Sequence, residues 1–200
     1  MRITGMRCRR FDMRLKRPIK VASGEISSGG TVLVRLDTDA GLYGLGEGSG
    51  VPFVTGEDCE DVLSGVERLA EAAMGRSPFE IQAVHAAMDA IYSGHTAAKA
   101  AIDTALFDLM AKAAGLPLYR FLGGSSPVVE TDRTIALAAP EDMAAEAAEL
   151  AARGFRHIKI KTGEDPEADI EAVRLIREAV GPGVRLKLDA NQGWTAPTAR

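Results

Sequence analysis

The sequence predicts an α/β protein in which an N-terminal α+β part precedes the start of a parallel β/α barrel. Three observations carry this prediction: β-rich segments followed by helical ones up to residue 124, a strand–helix alternation after residue 125, and charged residues alternating with aliphatic ones in the last two predicted strands. Strands that alternate with helices are typical of parallel sheets, because the crossover helices must cover a face of the sheet. Polar side chains on the other face favour a barrel over an open sheet with helices on both faces.

The N-terminal part, residues 1–124, is predicted to combine an antiparallel meander with helices. A turn cluster at Asp37–Gly41 joins two β-rich segments into a hairpin. Apolar residues at helical spacing predict the helices, and Ser77-Pro-Phe-Glu80 has the pattern of a capping box at a helix start. The predicted elements are strands at 31–36 and 42–46 and helices at 57–74, from Ser77 onward, and at 96–114. A Gly/Ser-rich junction at 123–127 leads into the second predicted domain, residues 125–200.

The second domain is predicted to hold three strands and two crossover helices. The strands are expected at 130–137, 157–161 and 185–189, with helices at 140–152 and 165–181. Crossover helices of this length imply parallel strands. A barrel of this type needs about eight strands, whereas the sequence ends at Arg200, shortly after the third. We therefore expect a barrel truncated here after its third strand, and a chain that is part of a longer enzyme.

Composition excludes several classes of partner. The chain has 200 residues and a formal net charge of −4, so it offers no basic surface for nucleic acid or anionic membranes. Its two cysteines, Cys8 and Cys59, lack metal or redox spacing and are expected to be reduced thiols. The N-terminus lacks the apolar run of a signal peptide, and no segment approaches the roughly 20 apolar residues of a membrane-spanning helix. We expect a cytoplasmic protein.

Charged residues share one face of the second and third predicted barrel strands. Alternate side chains of a strand point the same way, so Lys159 and Lys161 oppose two isoleucines, and Lys187 and Asp189 oppose two leucines. A lone lysine–x–lysine pattern is more often a solvated face. Here the aliphatic faces must pack on the helices, so the charged faces are expected to line the barrel interior. Lys161 and Asp189 end their strands, at the barrel mouth where active sites lie.

This charge pattern suits acid–base chemistry beside a metal. Two lysines about 6–7 Å apart along a strand make each other harder to protonate, so one can serve as a base. Asp189 supplies a hard oxygen ligand suited to Mg²⁺, although one carboxylate is an incomplete site.

A glycine-rich motif at Gly44–Gly50 looks superficially like a phosphate-binding loop. It fails the required glycine spacing and opens no helix, so a nucleotide site is not expected there.

Two segments, Lys159-Ile-Lys161 and Leu188-Asp-Ala-Asn-Gln-Gly-Trp194, resemble the enolase superfamily, specifically its muconate lactonizing enzyme subgroup. The resemblance extends over the whole chain. It implies an α+β capping domain on a modified TIM-type (β/α)₇β barrel that binds Mg²⁺ through three carboxylates. By the resemblance, Asp189 matches the first of these ligands, Lys161 the general base and Lys159 an auxiliary lysine. Asn191 matches a position that supports the metal ligand without binding the metal. The other metal ligands and an opposing lysine are expected beyond Arg200.

Within the subgroup, two segments, Thr131–Thr134 and Val54–Glu57, resemble those of dipeptide epimerases. Thr134 is expected to end the first barrel strand and touch the substrate. The loop around Lys16 to Gly30 is expected to fold over the site and help select the substrate. Gly24 falls where some L-Ala-D/L-Glu epimerases carry an arginine, which argues against an acidic second residue. Glu25 would favour a cationic or polar dipeptide, but a surface carboxylate is the alternative.

These residues predict a Mg²⁺-dependent epimerase that removes and returns the proton α to the carboxylate of a dipeptide, through an enediolate intermediate. The same lysines and metal also serve muconate cycloisomerases and o-succinylbenzoate synthase-type lyases, so those reactions remain alternatives. A non-catalytic fragment or paralogue is a third. A small-molecule carboxylate, most simply a dipeptide, is the expected partner, and the protein is expected to form a homo-oligomer.

Overall fold

The computed structural model describes residues 1–22 and 24–200, apart from the side chains at 16, 17, 21 and 24–28. Its helices and strands are β1 Ile3–Val21, β2 Gly24–Thr38, β3 Tyr43–Gly48, α1 Pro52–Thr55, α2 Cys59–Ala73, α3 Ile81–Ile91, α4 Thr96–Ala113, α5 Leu118–Phe121, β4 Arg133–Ile135, α6 Pro140–Ala152, β5 His157–Lys161, α7 Pro166–Val180 and β6 Arg185–Asp189. The chain divides into two compact units, 1–14 with 28–128 and 15–27 with 129–200. The predicted domain boundary after residue 124 stays a prediction.

The first unit contains the predicted meander and its helices. Strands β1, β2 and β3 lie in that order in one sheet, and β2 pairs with β3 in antiparallel register from Val32–Gly48 to Asp37–Tyr43. Helix α2 begins with a reciprocal capping box between Asp58 and Asp61. The helix expected to open at Ser77 begins instead at Ile81: the Glu80 carboxylate accepts from the Ser77 amide, but this bond closes a turn that precedes the helix.

The glycine-rich strand β3 lies directly on the backbone of helix α4. A methyl group at Gly44, Gly46 or Gly48 would collide with the carbonyl oxygens of Ala105, Ala101 and Ala97 respectively. These alanines are one helical turn apart, and the glycines alternate along the strand, so the two repeats bring backbone against backbone. The motif that resembles a phosphate-binding loop is therefore a packing surface.

The core of the first unit is apolar and fully enclosed. Helix α4 supplies its centre, with Ile102, Leu106 and Leu109 at zero exposure. Residues from the β2 strand and from helices α2 and α3 surround them: Val32, Val34, Leu36, Val62, Val66, Leu69, Val84 and Met88. Helix α4 thus belongs to one apolar cluster that includes strand β2 and helices α2 and α3.

The second unit is the parallel β/α segment that the sequence predicts. Strands β4, β5 and β6 lie in that order and all pairs are parallel. Strands β5 and β6 and helix α6 have their predicted bounds. Strand β4 is shorter than expected, with only Arg133–Ile135 paired to β5. The aliphatic face packs on α6 and α7 around Ile135, Ile158, Ile160, Met143, Leu150 and Ile176.

No helix in the described part of the chain is both long enough and apolar enough to cross a lipid bilayer.

Candidate functional site at the carboxyl ends of the barrel strands

Two lysines and one aspartate meet at the carboxyl ends of strands β5 and β6. The register pairs Lys161 with Asp189, so these two residues occupy the same level of adjacent strands. Lys161 Nζ lies 2.8 Å and Lys159 Nζ 2.6 Å from Asp189 Oδ2. The shared face that the alternation predicts is therefore present, and the two amines converge on a single carboxylate oxygen.

The cluster is partly withdrawn from solvent. The side chain of Lys161 is 10% exposed, whereas that of Lys159 is 34% exposed. A solvated strand face would leave both amines in bulk water, so the alternative of a plain charged surface does not fit Lys161. A buried ammonium needs partners, and Asp189 and Asn191 supply them.

Asn191 completes the surroundings of Lys161. Its side-chain oxygen accepts a hydrogen bond from Lys161 Nζ, and its backbone amide donates to Asp189 Oδ1 at 3.0 Å. Asn191 and Gln192 both have positive φ angles, of 44° and 67°, in the left-handed region. Asparagine tolerates this conformation better than most residues. The turn after β6 thereby directs Asn191 back onto the lysine.

Asp189 remains ionised over the whole physiological range. Hydrogen bonds from Lys159 and then from Lys161 hold the pKa of this carboxyl far below its usual value, and the amide of Asn191 contributes in the same direction. An ionised carboxylate at a strand end is chemically suited to a hard cation such as Mg²⁺. Among the described residues, however, no cluster of three or more His, Cys, Asp and Glu side chains could hold an ion. Asp189 thus fits as one ligand of a larger set.

The rest of the metal-binding set stays a prediction. The sequence resemblance places the other ligands and the opposing lysine beyond Arg200, and the described residues end at that position. Asp189 is therefore the one predicted metal ligand whose surroundings the structure describes.

A second group of paired charges begins at the level of Lys159, with which Lys187 is paired in register, and continues towards the amino ends of the strands. Lys187 Nζ donates to Asp132 Oδ2 at 2.7 Å, and this bond is the main cause that lowers the pKa of Asp132. His157 Nε2 lies 3.2 Å from Glu130 Oε2. A cavity of 640 Å³ borders these residues at the amino ends of the strands, away from Lys161. Because Lys187 is occupied by Asp132, it does not compete for Asp189.

The predicted substrate-binding residues have different outcomes. Thr134 lies in the middle of β4, paired in register with Lys159, and does not end the strand as expected. Its side chain shares the face of the lysines but lies one level below Lys161. Gly24 and Glu25 fall outside the residues whose side chains the structure describes. The segment expected to form a loop up to Gly30 belongs to strand β2 from Gly24 onward.

The end of strand β1 does approach the barrel strands. Lys20 accepts a hydrogen bond at its carbonyl from the amide of Leu137, just beyond β4, and its ammonium lies 2.8 Å from Glu164, just beyond β5. Both contacts belong to the second unit. The segment therefore lies beside the same strand ends that carry Lys161.

Sequence reasoning missed one buried acid near the site. Asp169, in the first turns of α7, accepts hydrogen bonds from the Gly163 amide and the Trp194 indole. A signal was present in the sequence. Asp169 lies three and seven residues before Ala172 and Ile176, on the buried stripe of the helix, where a charged residue is unusual.

Fold and site together define a class. Parallel strands of the β/α segment carry two lysines and an aspartate at their carboxyl ends, the place where barrel enzymes hold their reactive groups. The chain belongs to the mandelate racemase/muconate lactonizing enzyme family, whose N-terminal domain matches residues 4–123, while an enolase C-terminal domain-like domain matches residues 142–200. The sequence resemblance to this group is confirmed.

Several relatives are dipeptide epimerases. The hydrophobic dipeptide epimerase of Enterococcus faecalis is 43% identical over 199 residues, which cover 100% of this chain and 56% of the relative. Its crystal structure with Mg and the dipeptide L-Leu-L-Tyr matches with a TM-score of 0.96. The D-Ala-D/L-Ala epimerase of Cytophaga hutchinsonii is 40% identical over all of this chain and 54% of its own length. Its complex with Mg and D-Ala-L-Val gives a TM-score of 0.94.

The L-Ala-D/L-Glu epimerase of Bacillus subtilis is 37% identical, covering 97% of this chain and 54% of the relative. The chain thus spans about half the length of the relatives it matches. The fold class predicted from sequence, a capping domain followed by the start of the barrel, agrees with these matches.

Proposed function

We propose that the protein carrying this chain is a Mg²⁺-dependent dipeptide epimerase that inverts the carbon next to a carboxylate. One observation supports this most directly: Lys161 Nζ and Asp189 Oδ2 lie 2.8 Å apart at the ends of adjacent strands. The proposed base therefore lies beside the proposed ligand of the ion that would hold the substrate carboxylate. The relatives named dipeptide epimerases support the same reaction.

Lys161 is the proposed base for the α-proton. It ends its strand, at the barrel mouth where a substrate would bind, and it is the less exposed of the two lysines. To accept a proton, Lys161 must be neutral and must release its bond to Asp189. Asn191 then holds the amine in place through its side-chain oxygen, which keeps the nitrogen aimed at the mouth. Positioned general bases contribute about 10²–10⁴-fold to reaction rates.

Lys159 is the proposed partner for the negative charge that develops. Removal of an α-proton places charge on the substrate carboxylate, which becomes an enediolate. Lys159 lies within 2.6 Å of Asp189 and remains one third exposed, so its ammonium can turn from Asp189 to the substrate. Preorganised positive charge at such a point is the largest contribution in many enzymes.

Asp189 is the proposed ligand of Mg²⁺ within this chain, together with ligands from beyond Arg200. When bound, the ion supplies positive charge that stabilises the enediolate. The low pKa of Asp189 means that no proton competes for its oxygens at neutral pH.

The proposal is tested by solvent deuterium uptake. The whole protein is incubated in D₂O with MgCl₂ and a panel of L-Ala-L-Xaa and L-Leu-L-Xaa dipeptides, and the α-proton signals are followed by NMR. We expect uptake at the inverted carbon, with the epimer appearing at a comparable rate. Absence of exchange with every dipeptide would refute the proposal.

A matched experiment addresses the alternative reactions. The same enzyme is offered muconate and an o-succinylbenzoate precursor, and lactone or dehydrated product is measured by absorbance. Turnover there without dipeptide exchange would assign the site to cycloisomerisation or dehydration. The Lys161→Ala variant is the control for both panels, because it removes the proposed base and leaves Lys159 on Asp189.

A further inference from the structure

We propose that Asp169 is a positioning residue: its carboxylate ties together the two loops that aim Lys161 and Asn191 at the substrate. The proposal rests on the function proposed above, because it assigns a role in that reaction. Asp169 touches neither lysine, and it acts through the loop after β5 and the loop after β6.

The geometry of Asp169 is that of a two-loop clamp. One oxygen, Oδ2, accepts a hydrogen bond from the Gly163 amide at 2.8 Å and another from Trp194 Nε1 at 3.0 Å. Gly163 lies in the loop after β5, and Trp194 lies in the loop after β6. The residue is 7% exposed, so both bonds are shielded from competing water.

The two loops that Asp169 joins are in backbone contact with each other. Gly163 has a φ of +105°, and a methyl group there would lie 2.5 Å from the carbonyl oxygen of Ala190. A methyl group on Gly193 would collide with the carbonyl oxygen of Gly163. The Thr162 amide also donates to the carbonyl of Asp189 at 3.1 Å. With no side chains between the loops, a shift of one loop is passed directly to the other.

The clamp lies very close to the reactive groups in the chain. Gly163 follows Lys161 by two residues, and Trp194 follows Asn191 by three. Lys161 and Asn191 are bonded to each other, so the loops, the clamp and the lysine form a closed ring of contacts. Catalytic geometry must be held to within about 0.5 Å. Release of the clamp would let the ring relax by such an amount.

Packing alone does not explain the choice of residue. Asp169 occupies the buried stripe of α7 with Ala172 and Ile176, where an aliphatic side chain would pack without the cost of removing a charge from water. A carboxylate is suited to this place because it accepts two N–H donors from different loops at once. Asp169 also lies in the first turn of α7, where a carboxylate is favourable, and its two bonds to the loops are a role in addition to that one.

Four variants of the whole protein test this inference. Asp169→Ala removes both bonds, Asp169→Asn keeps an acceptor oxygen without the charge, and Trp194→Phe removes one donor. Ile176→Val is the matched control, since it loosens the same helix on the same stripe without touching either loop. For each variant, kcat and KM for the preferred dipeptide and hydrogen exchange of peptides from residues 160–165 and 189–196 are measured.

We expect Asp169→Ala to lower kcat by about 10–100-fold, the usual loss when a partner of a reactive residue is removed, with little change in KM. Asp169→Asn should recover much of this loss, and Trp194→Phe should lie between Asn and wild type. Hydrogen exchange should rise in both loops of Asp169→Ala, but mainly in residues 189–196 of Trp194→Phe. Ile176→Val should leave kcat and loop exchange unchanged.

Two results would overturn the inference: equal losses of kcat in Asp169→Ala and Ile176→Val, or loop exchange that is unchanged in Asp169→Ala. If Asp169→Ala does not fold, then Asp169→Asn and Trp194→Phe decide by the same measurements. Hydrogen exchange needs no substrate. A wild-type protein inactive on dipeptides would therefore refute the proposed function, while the loop exchange would still show whether Asp169 holds the loops.

Discussion

The two compact units differ in the polarity of the surfaces of their sheets. In the first, the sheet and helix α4 meet through glycine and alanine backbone, and large aliphatic side chains fill the remaining space. In the second, one face of the sheet is equally aliphatic, but the other carries lysines and aspartates paired along the strands. Burying charge lowers stability unless it is paired. The first unit is thus organised mainly by apolar packing, whereas the second keeps one whole face of its sheet polar.

The largest expected effect is on the charged face. Lys161→Ala should lower epimerisation by about 10³-fold, because it removes the proposed base, while Lys159 stays bonded to Asp189 and keeps that carboxylate paired. The rate is followed by NMR and the fold by circular dichroism. Lys187→Ala is the control, since this lysine pairs with Asp132. Equal losses of rate in the two variants would contradict the distinction between the Lys161–Asp189 cluster and the Lys187–Asp132 pair.

The next effect is on the aliphatic core of the first unit. Leu106 is fully buried on α4, so Leu106→Ala should lower the free energy of unfolding by about 2–5 kcal/mol. The kcat of the folded enzyme should be retained. Urea unfolding gives the first quantity and initial rates give the second. Leu45→Ala, at a residue 52% exposed, should cost far less. A loss of kcat in folded Leu106→Ala would contradict the expectation that this core residue affects stability and not the reaction.

A smaller effect is expected at the glycine strand. Gly46→Ala places a methyl group against the carbonyl of Ala101, so helix α4 must move away, at a cost of about 1–3 kcal/mol. The free energy of unfolding in urea measures this cost. Gly29→Ala is the control, because a methyl group there meets nothing within 4 Å. Equal stabilities of the two variants would show that the strand and the helix have room to separate.

The smallest effect concerns acid stability. The guanidinium of Arg35, and then that of Arg7, lower the pKa of Asp37 in the folded chain. The stabilisation from this lowered pKa is therefore complete above the pKa of the unfolded aspartate and is lost as the pH falls towards the folded value. Asp37→Asn should reduce the fall in the urea midpoint between pH 5 and pH 3. Glu71→Gln, on an exposed face of α2, is the control. An unchanged pH dependence in Asp37→Asn would contradict the expectation.

The sequence predicted the barrel strands better than the helix starts, for a physical reason. In His157–Lys161 and Arg185–Asp189, every second residue is charged or polar, so periodicity sets both the bounds and the faces. Ser77-Pro-Phe-Glu80 has the right residue types for a helix start, but its hydrogen bonds close a turn and α3 begins later. Local side-chain bonds of this kind compete with helix formation, and the pattern alone does not decide between them.

The candidate site was predictable to the extent that it lies on strands. Lys159, Lys161 and Asp189 share a face because of alternation, and the structure brings them together. Asp169 was not found, because its partners are a backbone amide and an indole from two separate loops. Such contacts depend on the tertiary path of the loops. The position of Thr134 within its strand was not predictable either. Only three residues of β4 pair with β5, and this pairing sets where the strand ends.

Glu57 has a structural role in Val54–Glu57, one of the two segments that resemble the dipeptide epimerases. This buried carboxylate accepts the amide of Ala97 and so closes the amino end of helix α4, a task that His95, the residue before the helix, does not perform with its own side chain. A glutamate placed there fastens the segment before α2 to a helix 40 residues away in the chain. The presence of Val54–Glu57 therefore reflects how this domain is assembled. Two relatives can share this segment and still act on quite different molecules.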